Sequence, residues 1–365
     1  MSADRVAVVH DWLTGMRGGE SVLEGILDLL PNAELFTLFH FPGSVSPKIE
    51  ARRIHTSELQ SAARRAKDYR HLLPLFPRAV RRWDFSNYDL VVSSSHCVAK
   101  GVETRGRPHL SYCHTPMRYI WDLFDDYFPR SKPFQRAAML TVAPWLRRWD
   151  VATSNGVTEF VANSSFVRDR IRRYYQREAE IIHPFVDDAF LDAPLLPDRA
   201  GYHLIVSALV PYKRIDLAID AANASGRQLV IVGDGPLLGR LRQRSGPNVS
   251  FEGHVSRERI IEHLSRARSL ILPGVEDFGI TPLEAMALGT PVVAQGHGGV
   301  LDTVVQNVTG IFFGAVEVKS LVHALEEVEG REWDRAAIRA HAAAFSRARF
   351  LREMQTAIER VRVRG

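Results

Sequence analysis

The stretch "SLILPGVEDFGITPLEAMALGTPVVA", residues 269–294, decides how this chain is read. Its opening "SLIL" is apolar on every second position and between, as a strand buried on both faces requires. It runs straight into two acids, Glu276 and Asp277, and a third carboxylate, Glu284, lies about one turn into the segment that follows. That segment carries helix signals. Thr281 is placed to cap it, Pro282 to occupy its first position, Glu284 to close a capping box, and Gly289 to end it. A second apolar run, 291–294, completes a strand–helix–strand unit. Capping accounts for Glu284 but not for Glu276, which falls in the loop between strand and helix.

The same alternation extends through most of the chain. Strand patterns occur at 6–9, 35–38, 90–93, 110–113, 160–162 and 180–182, then at 203–206, 228–232, 249–251, 269–272, 291–294 and 310–312, with helical periodicity between them. Two α/β units of parallel strands and covering helices follow. The acid- and proline-bearing "DDAFLDAPLLPDRAG", residues 187–201, lacks periodicity and is taken as the hinge. The expected division is a domain at 1–190, a second at 191–335, and a helical tail at 336–365 packing across the boundary. The expected ligand site is a cleft between two doubly wound domains, at the carboxyl ends of the strands.

Composition narrows the class further. At 365 residues the chain is long enough for two cores, and 45% hydrophobic with 24% charged residues is the composition of a globular protein. No run approaches the roughly 18 apolar residues of a membrane span. The start "MSADRVAVVHDW" enters a strand without a basic leader, so a cytoplasmic location is expected. Cys97 and Cys113 match no disulfide framework or zinc spacing and read as reduced, structural thiols.

The net charge of +5 is concentrated between 51 and 85, where Arg52, Arg53, Arg64, Arg65, Lys67, Arg70, Arg78, Arg81 and Arg82 face only Glu58, Asp68 and Asp84. Leu72, Leu73, Leu75, Phe76 and Trp83 are interleaved. Two readings stand: a solvated helix face, or a patch for anionic lipid or an acidic acceptor. With no stacking array and no nucleic-acid motif, nucleic acid is not an expected partner.

Chemistry gathers at the strand ends of the second half. A helix N-terminus beside Gly279 is a seat for phosphate, yet two carboxylates there would repel one unless they face hydroxyl groups. Phosphate and hydroxyls on one ligand describe a nucleotide sugar. Lys213 and Arg214 in "VSALVPYKRID" follow the first strand of that half and supply cations, or else form a solvated helix start. Gly233 and Gly235 in "VIVGDGPL", and Gly298 and Gly299 in "GHGG", form tight turns at the same edge, where glycine permits close backbone approach to a ligand. Neither turn is a G-x-G-x-x-G fingerprint.

Together, Glu276 and Glu284 as an E-x7-E pair, "LVPYKRIDLAIDAA", "GDGPL" and "GHGG" resemble the retaining family 4 glycosyltransferases of the GT-B fold. In the first half, "VVHDWLTGMRGGE", "SSSHCVAKGV", "YCHTPMRYIWD" and "FVANSSFVRDRI" look like the mannosyltransferases of surface-polysaccharide assembly. The resemblance implies two Rossmann-like doubly wound domains and transfer of a hexose, with GDP-mannose as donor, to a polyprenyl-diphosphate-linked glycan. It gives Glu276 the donor sugar's hydroxyls, Glu284 the ribose, Lys213 and Arg214 the diphosphate, and His114 the sugar from the other domain. Gly18 and Gly19 would let the first helix approach diphosphate or acceptor. Phe278, Gly279, Ile280 and Thr281 complete the implied donor seat. Ala208 stands where many relatives have Arg, which would shift phosphate load to Arg214.

Four residues keep two readings. His114, two positions before Pro116, fits a turn cap as well as a sugar contact. Asp11 fits an acceptor contact or a bond to its own backbone. Trp121 and Asp122 fit an acceptor groove or helix packing. No D-x-D motif or metal-ligand spacing occurs, so a metal-independent reaction without cofactor is expected. A sugar-nucleotide epimerase or hydrolase of the same fold, and a non-catalytic anion-binding protein, are the rival readings.

Overall fold

In the computed structural model the described residues are 5–63, 68–197 and 199–364. Arg64, Arg65 and Lys67 of the basic segment lie outside them. By its contacts the chain divides into two units, Met1–His183 with Ala348–Gly365, and Pro184–Arg347.

The first unit is built on seven strands, β1 (Val6–His10), β2 (Glu34–Thr37), β3 (Ile54–Thr56), β4 (Leu90–Ser95), β5 (His109–Cys113), β6 (Glu159–Ala162) and β7 (Ala179–Ile181). They lie in the order β3-β2-β1-β4-β5-β6-β7, all pairs parallel. β1 and β4 are buried at every position, which is why their sequences are apolar or small without alternation. The second unit has β8 (Tyr202–Val206), β9 (Gln228–Val232), β10 (Val249–Gly253), β11 (Ser269–Leu272), β12 (Val292–Gln295) and β13 (Gly310–Phe313), ordered β10-β9-β8-β11-β12-β13 and again parallel throughout. Both orders reverse direction once, between β1 and β4 and between β8 and β11. Loops on the two sides of such a reversal part at the carboxyl ends of the strands and leave a crevice there.

Every expected strand forms, within a residue or two of its expected ends. β3 was not foreseen: "IHT" at a sheet edge is half-exposed and has no apolar run to mark it. The unit boundaries also differ from those expected at 190 and 335. Residues 184–190 belong to the second unit because the Val186 amide donates to the Phe345 carbonyl at 3.0 Å and Val186 and Phe190 enter its core. The helix Arg335–Ala343 stays there too, through buried Ile338 and Ala342. Only the last helix, Arg347–Val363, carries the chain back to the first unit, where the Arg360 guanidinium grips Glu159 at 3.0 Å and also meets Glu180. Cys97 and Cys113 are free and buried. Among the described residues no helix is long and apolar enough to cross a membrane.

Candidate functional site

In the second unit the loops that leave β8 and β11 flank the reversal of the sheet, and they carry Lys213 and Glu276. The Lys213 ammonium and the Glu276 carboxylate form an ion pair, their side chains 17% and 18% exposed. Each charge is thus partly withdrawn from water and neutralised by the other, and the pair holds both side chains at the strand edge. Arg214 sits in the left-handed region at φ 51° and places its Nε 3.3 Å from Asp216, with its side chain 41% exposed.

The glycines explain how the loops come together. A Cβ on Gly274 would fall inside contact distance of the Tyr212 carbonyl oxygen and 2.8 Å from the Lys213 Cα, so the bare backbone after β11 is what admits the Lys213 loop. Gly299 donates its amide to the Glu276 carbonyl at 2.8 Å, and Gly298 forms a bridge with Glu276. A side chain at either position would strike the 276–278 backbone. Gly235 lies equally close to the Leu209 backbone, and Gly233 to the Ser207 carbonyl. These four glycines were expected to give a ligand close access to the backbone. The close approach they permit is to the chain's own backbone, and it holds Glu276 and the Ser207–Leu209 loop in position. Gly274, which sequence reading passed over, belongs with them; its signal was a Pro-Gly pair at the end of a buried strand.

The helix after β11 spans Ile280–Ala287, and its N-cap is Gly279 at φ 89°. Thr281 is therefore inside the first turn, no side chain caps the helix, and the capping-box reading of Glu284 falls. Gly289, at φ 68°, does follow the helix end as expected. Glu284 is half-buried, and burial pushes its pKa up to about 7, with Asp187 raising it further and Arg257 opposing. A carboxyl held so reluctantly as an anion accepts hydrogen bonds readily when a polar ligand replaces the missing water. Phe278 is only 3% exposed and packs toward Phe345, so any ligand contact it makes comes from its backbone. Ile280 and Thr281 are half-buried at the helix start.

In the first unit the β1/β4 reversal gathers His10, Asp11, His96 and His114. Asp11 is corrected as an acceptor contact: its two carboxylate oxygens take four backbone amides, from His96 at 2.7 Å, Cys97 at 2.9 Å, Val98 at 2.7 Å and Ala99 at 2.8 Å. With His96 Nδ1 also 3.2 Å away, its accepting capacity is filled by the loop after β4. Trp121 and Asp122 are likewise engaged inside the unit. The Trp121 indole donates to Asp150 at 2.9 Å and stacks on Tyr174 at 4.4 Å, while Asp122 takes Arg170 and Tyr174. His114 keeps Nε2 2.8 Å from the Ser94 hydroxyl. Burial pushes its pKa well below the ordinary imidazole range, and His96 and His10 add to the shift. Gly18 and Gly19 open the helix Gly18–Leu29, and a Cβ on Gly19 would stand 3.9 Å from the rings of both His10 and His114. That helix end and His114 therefore adjoin the same small space.

Much of the basic segment is spoken for. Arg52 donates to the Leu27 carbonyl at 2.9 Å, Arg53 lies 3.6 Å from Glu34, Arg81 lies 3.5 Å from Glu103, and Arg82 pairs with Glu58. Among the described residues no group of three or more His, Cys, Asp or Glu is placed to hold a metal ion.

Two doubly wound units, one holding a cation and a carboxylate at its switch point, define the architecture of a nucleotide-sugar enzyme, and comparison with known proteins agrees. A family described as Glycosyl transferases group 1 matches residues 187–345, and one described as Glycosyltransferase Family 4 matches residues 34–190. The chain is 32% identical over 258 residues to a GDP-mannose-dependent alpha-(1-6)-phosphatidylinositol monomannoside mannosyltransferase of Mycobacterium tuberculosis, a match covering 59% of this chain and 66% of that protein. In fold it is similar to sucrose-phosphate synthase from Thermosynechococcus elongatus (TM-score 0.72, 17% identity, 100% of each chain) and to the lipopolysaccharide outer core galactosyltransferase WaaB (TM-score 0.68, 16% identity, 97% of this chain and 99% of that one). The chain belongs to the family 4 glycosyltransferases of the GT-B fold.

Proposed function

We propose that the protein is a retaining mannosyltransferase that moves mannose from GDP-mannose to a hydroxyl of a lipid-linked glycan. The observation that carries this reading is the Lys213–Glu276 pair at the β8/β11 switch point. A diphosphate entering there takes over Lys213, with Arg214 alongside, and releases Glu276 to accept hydrogen bonds from the sugar's hydroxyls. Glu284, along the next helix, takes the ribose diol. The choice of mannose and GDP is supported by the named activity of the mycobacterial relative.

In the step itself the bond from the anomeric carbon to the diphosphate oxygen breaks and a bond to the acceptor oxygen forms on the same face. The acceptor's proton passes to the departing phosphate. Lys213, Arg214 and the N-terminus of the helix Ile280–Ala287 stabilise the negative charge that grows on the leaving oxygen, at roughly 3 kcal/mol per donor group by analogy with oxyanion sites. These cations carry the charge in the proposed step, which calls on no metal.

A polyprenyl-diphosphate-linked acceptor places the reaction at an anionic membrane face. Support for peripheral attachment comes from the helix Pro133–Ser154, which shows Phe134 (91% exposed), Leu140, Trp145 and Val151 to solvent. Arg130, Lys132 and Arg148 add exposed positive charge there, while Arg136 pairs with Asp125, Arg147 donates to the Ile120 carbonyl, and Asp150 is buried against Lys100.

The test is a thermal-shift panel of GDP-mannose, UDP-glucose and UDP-N-acetylglucosamine followed by transfer assays. GDP-mannose should raise Tm most and support turnover with retention. A flat panel and no transfer to any lipid-linked glycan would remove the reading.

A further inference from the structure

Four side chains of the first unit form a line from a buried carboxylate to His114. Glu20, 5% exposed, lies 3.8 Å from His10 Nε2; His10 Nδ1 lies 3.1 Å from the Ser94 hydroxyl; and that hydroxyl lies 2.8 Å from His114 Nε2. His10 is 1% exposed and Ser94 is fully buried, so water does not interrupt the line. β1 and β4 set it up, since His10 and Ser94 are register partners at the carboxyl edge of the sheet.

A serine hydroxyl has one proton. It can donate to only one of the two imidazoles and must accept from the other, so the line has a direction, and the far end chooses it. Glu20 is held as an anion by His10 against the opposing effect of burial. His10 Nε2 makes no hydrogen bond, and the Glu20 carboxylate 3.8 Å away favours a proton on that nitrogen over one on Nδ1; with the single ring proton there, Nδ1 accepts from Ser94. Ser94 then accepts from His114 Nε2–H. The hydrogen bond of the His114 ring among the described residues is the one at Nε2, and Gly19, in the first turn of the helix Gly18–Leu29, stands against the Cε1 and Nε2 edge of that ring, leaving the Nδ1 edge apart from it.

We propose that Glu20, acting through His10 and Ser94, is a positioning residue that fixes His114 as its Nε2–H tautomer and presents Nδ1 as an acceptor for a ligand hydroxyl. The tautomer follows from the geometry of this unit alone; that the hydroxyl belongs to a sugar substrate rests on the transferase reading above. His114 in this state selects for a hydroxyl donor and against a ligand with an acceptor at the same place.

Full-length protein labelled with ¹⁵N-histidine and studied by long-range imidazole NMR at pH 8 reads the tautomer directly, with His114→Gln assigning the signals. Wild type should show His114 as Nε2–H, and both Ser94→Ala and Glu20→Ala should populate Nδ1–H. An Nδ1–H signal in wild type, or no change in either variant, overturns the proposal. With transfer established, monodeoxy analogues of donor and acceptor are compared. One analogue should lose roughly 10-fold or more in kcat/KM with wild type and nearly nothing further with Ser94→Ala, and Ser94→Thr should restore the discrimination. Whether the sensitive analogue is donor or acceptor identifies which hydroxyl is held; a panel with no sensitive member overturns the contact. Absence of any transfer, with the tautomer as expected, counts against the transferase reading and not against the line of four residues.

Discussion

Lys213 and Glu276, 63 positions apart in the chain, meet as an ion pair in the loops on either side of the β8/β11 reversal. The pair couples stability to function in a way that separates their variants. Lys213→Ala strands a partly buried carboxylate and should cost about 1–2 kcal/mol, less than a fully buried pair because both groups keep some solvent. The double variant Lys213→Ala/Glu276→Ala should recover most of that in chemical denaturation. Neither protein should respond to GDP-mannose, and transfer should fall at least about 100-fold in each. Near-normal turnover in folded Lys213→Ala would remove this lysine from the site.

Gly274 offers a test of how that pair is positioned. A methyl group there would press on Tyr212 and on Lys213 Cα at 2.8 Å, so Gly274→Ala should displace the Lys213 loop. The expected result is a loss of about 2 kcal/mol or more of stability, as for an overpacked core, together with loss of the GDP-mannose thermal shift. Gly239→Ala, in the helix Leu238–Arg244 with open space around its Cβ, is the control and should be neutral or stabilising by up to about 1 kcal/mol. Equal behaviour of the two variants would show that the packing against Tyr212 is unimportant.

These particulars also show what the chain's letters reveal. Both sheets could be read because parallel strands buried on two faces are apolar along their length, as "VAVV" (6–9) and "LIL" (270–272) are. The cation and the acid could be read as chemistry at strand ends, but not as partners, since pairing depends on a sheet order that brings β8 beside β11. For Asp11 the backbone-bonding alternative agrees in kind with the structure, but its partners could not be named: they are amides 85 to 88 positions away, and amides leave no mark in a sequence. The glycine turns could be located but their packing partners could not, because a close approach to the chain's own backbone and one to a ligand call for the same residue.

Asp11 should accordingly behave as a structural residue. Asp11→Asn keeps one accepting oxygen and turns an NH₂ group toward backbone donors, leaving two of the four amides without a partner in a buried site. A cost of about 3 kcal/mol or more is expected. Denaturation should show this as a lower midpoint, and whatever protein remains folded at low temperature should keep its donor thermal shift. A stable Asp11→Asn protein whose kcat alone collapses would instead restore the acceptor role.

Glu284 makes stability depend on pH with a definite sign. Its folded pKa of about 7 lies above the ordinary 4.5, so between those values the folded chain holds more proton than the unfolded one. Stability from this group is full below about pH 4.5, declines as pH rises, and levels off above about pH 7. The difference between the ends is on the order of 2 kcal/mol once partial exposure is allowed for. Glu284→Gln should flatten that decline, so the variant gains on wild type between pH 5 and pH 8 in chemical denaturation. GDP-mannose binding should run the other way. A ribose diol donates to the carboxylate and favours its ionised form, so affinity of the wild type should rise through pH 7 while that of Glu284→Gln stays weak and flat. A wild type and variant with parallel stability curves would show that Glu284 ionises as an ordinary surface acid and would take away its claim on the ribose.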